Sequence, residues 1–107
     1  MASYDNMSAS EAQRLAKQGD RNALQALYSK AVAFDDQGRH EEAIKWYDIV
    51  LEIAPNTLFV IVNKAAALVD SGRYAEAIRC YDKALELDPN NSQVREAKKV
   101  AQAKAIR

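Results

Sequence analysis

The chain carries few side chains able to make or break a covalent bond. His40 is its one histidine and Cys80 its one cysteine. One thiol and one imidazole cannot complete a closed zinc site, and a lone thiol cannot form an internal disulfide. No serine, threonine or cysteine stands beside His40 as a nucleophile would beside its base, and no glycine-rich phosphate loop is present. His40 reads as a packing residue at the start of a helix, and Cys80 as a semi-exposed neighbour of the core residue Tyr81. No catalytic residue, metal or cofactor is therefore expected. What remains is non-covalent recognition by aromatic, aliphatic and charged side chains, whose use depends on the elements that hold them.

Those elements must be helices. The 107 residues, 49% of them hydrophobic, include only 3 Gly and 2 Pro, enough apolar surface for one core and too little turn punctuation for many short strands. Lys+Arg and Asp+Glu each number 15, so no overall basic field points to nucleic acid and no acidic excess points to disorder. No apolar run is long enough to span a bilayer and no leader-like segment opens the chain. A cytoplasmic protein with neither membrane nor nucleic-acid partners is expected.

The sequence also repeats. Gly38 and Gly72 are 34 residues apart, as are Pro55 and Pro89. Laying Leu24–Thr57 over Leu58–Asn91 without a gap gives 16 identities in 34 places, which marks duplication of one structural unit. Within each unit the apolar residues recur at helical spacing: Leu24, Leu27, Ala31 and Phe34, then Ala43, Ile44, Tyr47, Val50 and Leu51, with Ile61, Ala65 and Leu68 in the second copy. Each unit is thus two helices. Glycine ends the first, because it takes the left-handed conformation without a Cβ clash; proline ends the second, because it drives the preceding residue out of the helical region. Ala31, Ala43, Ala65, Ala77 and Ala84 fall where helices must approach closely.

These residues resemble the tetratricopeptide repeat family. Gly72 to Asn91 looks like that family's second helix and exit turn nearly residue for residue, and Gly38 to Asn56 is a more diverged copy. His40 in place of an aromatic ring, Lys30 and Lys64 in place of leucine, and Ala54 in place of an acid depart from the pattern. The resemblance implies an all-α, right-handed solenoid forming a single domain over residues 1–107. Its expected parts are an N-terminal half-repeat helix in 8–23, repeats at 24–57 and 58–91, and a solvating helix at 92–107 with Ser92 as its N-cap. Residues 1–7 are expected to be disordered.

The resemblance also implies protein–protein binding, commonly of a peptide or helix in the groove lined by the first helix of each pair. Placed on that inner face, Tyr28, Val32, Phe59, Val62, Ala66, Val69 and Val100 form an apolar strip with Asn63 within it and Asp35 at an acidic rim. Phe59 and Tyr28 are the expected anchors. The family's clamp for acidic chaperone tails is not expected. Of its residues only Asn63 is matched, and Tyr28 and Val32 stand where a lysine and an asparagine would be needed. The alternative is self-association through the open ends of the stack. Ser92 to Arg107 carries five bases and one acid, +4, against ten bases and fourteen acids, −4, in residues 1–91.

Overall fold

The computed structural model describes residues 8–106, so the expectation for residues 1–7 falls outside the described part. Six helices follow one another: α1 (Ala9–Lys17), α2 (Arg21–Asp36), α3 (His40–Ile53), α4 (Leu58–Asp70), α5 (Tyr74–Leu87) and α6 (Ser92–Ala105). There is no strand among the described residues. Each helix packs on the next, and α1 also touches α3, giving an elongated stack of 48 × 27 × 16 Å.

Two kinds of turn alternate. Gly38 and Gly72 both take φ 77°. That conformation lets the chain fold back on the last helical turn. Gly38 N–H donates to the Asp35 carbonyl at 3.0 Å and Arg39 N–H to Phe34 at 2.9 Å; Gly72 and Arg73 do the same to Val69 and Leu68. The other turns are set by proline. Ala54 and Asp88, each just before a proline, are pushed to φ −132° and −143°, which stops α3 and α5.

The small residues explain how closely the hairpins close. Ala31, Ala43, Ala65, Ala77 and Ala84 are all 0% exposed, and around them pack Leu27, Tyr47, Val60 and Leu68. A larger side chain at any of these alanines would force helix axes apart in a core already at close-packed density. The half-helices cover the ends: Ala12 and Ala16 of α1 are buried against the first hairpin, and Val94 and Ala101 of α6 against the last.

Two details differ from the sequence reading. α2 begins at Arg21, ahead of the Leu24 repeat boundary, and Asp20 caps it by accepting from the Asn22 and Ala23 amides, both at 3.0 Å. In the second unit the corresponding place is Pro55, which holds the start of α4 back to Leu58. Second, the N-cap of α6 is Asn91, not Ser92: its Oδ1 accepts from the Val94 amide at 3.0 Å, while Ser92 is already the first helical residue.

Lys64, one of the lysines that depart from the repeat pattern, and its counterpart Lys98 join successive units. Lys64 Nζ lies 2.5 Å from Asp48 of the preceding helix, and Lys98 Nζ lies 2.6 Å from Asp82. Both members of the second pair stand 34 residues after those of the first. Lys30 holds the same place one unit earlier. There the residue facing it by register is Arg14 of α1, and the pairing stops.

Candidate functional site: the inner face of the first helices

The inner surface is built by α2, α4 and α6, the odd members of the stack counted from the first repeat. Helical periodicity puts Phe59, Val62, Ala66 and Val69 on one side of α4, with Tyr28 and Val32 on the facing side of α2. Tyr28, Val32, Val62 and Val69 are half-buried and packed against the core. Phe59 and Val100 stand out at 56% and 51% exposure.

Phe59 organises one end of this surface. Its ring meets the edge of Tyr28 with centroids 5.1 Å apart and planes at 85°. Tyr28 is itself fixed from behind, 6.2 Å from the Tyr47 ring, and its hydroxyl accepts a hydrogen bond from Asn63 Nδ2 at 2.7 Å. Asn63 is thereby committed to a local bond, as expected of a residue that lacks the rest of a carboxylate clamp. On either side of Phe59 a cleft opens. One, of about 260 Å³, lies between α4 and α6 and is lined by Leu58, Phe59, Val62, Asn63, Val94 and Ala97, with Asn91 and Gln93 at its edge. The other, of about 290 Å³, lies between α2 and α4 over Leu24, Gln25, Tyr28 and Val60, with Arg21 at its mouth. Both are small, mostly apolar and preformed, the kind of recess that takes a single side chain.

The remaining inner-face residues lie elsewhere. Val32, Ala66, Val69 and Val100 border neither cleft. Asp35 is turned into its own hairpin: His40 Nδ1 lies 2.5 Å from its Oδ1, and the Tyr47 hydroxyl donates to its Oδ2 at 3.1 Å. Burial, reinforced by that carboxylate, holds the Tyr47 phenol well above its ordinary value. His40 thus does pack at the helix start, as read, but through a charged partner the sequence did not indicate. Side-chain oxygen and nitrogen atoms of Asp35, His40 and Asp70 come within 4.8 Å of one another, so the acidic rim expected from the sequence also holds His40, whose place there the sequence did not indicate. The second repeat could have signalled it, because Val69 and Tyr74 there replace both members of the Asp35–His40 pair.

A third cleft, of about 390 Å³, lies on the other side, between α3 and α5. Its charges are largely answered internally: Lys64 pairs with Asp48, and Glu76 with Arg73 at 2.7 Å. The thiol of Cys80 within it is pushed up by burial, which leaves it protonated and a poor nucleophile. Trp46, on the same outer side, covers Phe34 at 6.1 Å, and the Arg39 guanidinium lies 4.6 Å over the Phe34 ring.

A stack of antiparallel helical hairpins closed at both ends by single helices is an α-solenoid, whose chemistry is recognition by surface. The tetratricopeptide repeat family model matches residues 24–57 and 60–91, more than half of the chain, and the chain belongs to that family. Its repeats mediate protein–protein interaction. No curated protein matches the chain. None of the described helices is long and apolar enough to cross a membrane.

Proposed function

We propose that this chain is a protein-interaction scaffold that takes a peptide or helical segment of a partner in the groove along α2, α4 and α6. The observation that carries the proposal is Phe59: an aromatic ring left 56% exposed, seated edge-on against a fixed tyrosine, with an apolar cleft on each side. Exposing such a ring to water is unfavourable, and a partner side chain entering either cleft would remove that cost while touching Phe59.

The test is truncation of Phe59 alone. Tyr28 is unsuitable, because it holds Asn63 and touches Tyr47 and its loss would disturb the core. Phe59→Ala should leave the thermal midpoint nearly unchanged and weaken capture of a partner from native lysate at least about tenfold. Equal capture by both proteins would reject the groove.

Self-association gains no support from charge. Arg14 and Lys17 are exposed on α1 beside Glu11, and Arg95 and Lys99 on α6 beside Glu96, so both ends of the stack carry mixed charge and neither complements the other by sign.

A further inference from the structure

Resting on the groove just described, we infer that its occupant is a segment carrying a lysine or arginine about 16 Å from a pair of apolar side chains, lying along α4. Two independent features converge on this chemistry. At one end of α4 the clefts beside Phe59 accept apolar groups and offer no charge except Arg21 at the mouth of one. At the other end the rim is acidic. Asp36 and Asp70 are both exposed at the C-termini of α2 and α4, and neither forms an ion pair among the described residues. The carbonyl ends of two helices add to the same negative potential.

The bases nearby do not answer these acids. Arg39 is bound to Glu42 at 2.6 Å, Arg73 to Glu41 at 2.8 Å and to Glu76 at 2.7 Å, and His40 to Asp35. Lys104 holds the place of Asp70 on α6, so the acidic stretch is confined to the α2–α4 side. An incoming ammonium or guanidinium would meet the exposed carboxylates of Asp36 and Asp70, the latter within 4.8 Å of the Asp35–His40 pair, and both have lone pairs free to accept from it. An acidic segment would meet uncompensated like charge instead. Between the two ends, Val62, Ala66 and Val69 give α4 a continuous apolar track. Phe59 and Asp70 are eleven residues apart on this helix, which at 1.5 Å per residue is about 16 Å, or about five residues of an extended peptide.

Selection from a displayed library of short random peptides on the full chain tests this, followed by affinity measurement of the selected peptides on wild type, Phe59→Ala and the double variant D36N/D70N. The Asn substitutions are isosteric and lie at exposed helix ends, so folding should be retained. Selected peptides should carry a Lys or Arg about five residues from an apolar pair, bind at least about tenfold more weakly to D36N/D70N, and lose affinity as salt rises from about 50 to about 500 mM. Peptides that depend on Phe59 yet ignore D36N/D70N would overturn the charge preference and leave the groove standing. Peptides indifferent to Phe59, or no enrichment at all, would overturn both.

Discussion

At the scale of single residues, the surface of this protein is decided by who is already bound to whom. Asp35 illustrates it. Periodicity alone sets it on the groove rim, yet its two oxygens hold His40 and Tyr47 across the first hairpin. Asp35→Ala should therefore act as a stability mutation, lowering the unfolding free energy by about 1–2 kcal/mol in urea denaturation, with Asp35→Asn milder. Titration offers a second check. Tyr47, Tyr81 and Cys80 all have their protons held more tightly in the fold, burial being the main cause in each. The unfolded chain releases these protons at ordinary values, 10.0 for tyrosine and 9.0 for cysteine, before the folded chain does. Stability is then full below those values and falls as pH rises through them. Denaturation midpoints at pH about 8 and about 10.5 should show the loss, and Tyr47→Phe should reduce it.

At the scale of the helices, much was readable from residue type. Gly38, Gly72, Pro55 and Pro89 have their effect through backbone rules that need no tertiary knowledge, and the alanines announce close helix approach by lacking side chain. Gly72 makes the rule measurable. A Cβ added there would meet nothing within 4 Å, so only the φ of 77° opposes it. Gly72→Ala should cost about 1–2 kcal/mol, a fall of roughly 4–8 °C in thermal midpoint per kcal/mol, through backbone conformation alone. Less readable were the features that depend on competition between neighbours. Asn91 and Ser92 are both good caps, and only the geometry of the turn after Pro89 selects the first. Likewise the cleft between α2 and α4 is walled by a Tyr28 ring that Asn63 pins, a bond between residues 35 positions apart that no local pattern signals.

At the scale of the whole molecule, the 34-residue duplication carried most of the architecture, because each hairpin buries its face only against its neighbours. The inner strip was legible as a direction on the helices but not as an open surface. Which of its residues sink toward the core, like Val32 and Val69, and which stand out, like Phe59 and Val100, is settled by how far each helix is rotated in the stack.

The bridges from Lys64 to Asp48 and from Lys98 to Asp82 have a bearing on lengthening the protein. A further copy of residues 58–91 spliced between Asn91 and Ser92 would present its own lysine to Asp82 and its own aspartate to Lys98, so both junctions would reproduce one that exists. Such a three-unit variant should fold without redesign and melt at a higher temperature than its parent, as calorimetry would reveal. However many copies were interposed, Arg14 would leave the first lysine unanswered, making the α1 junction the fixed origin from which the ladder is counted.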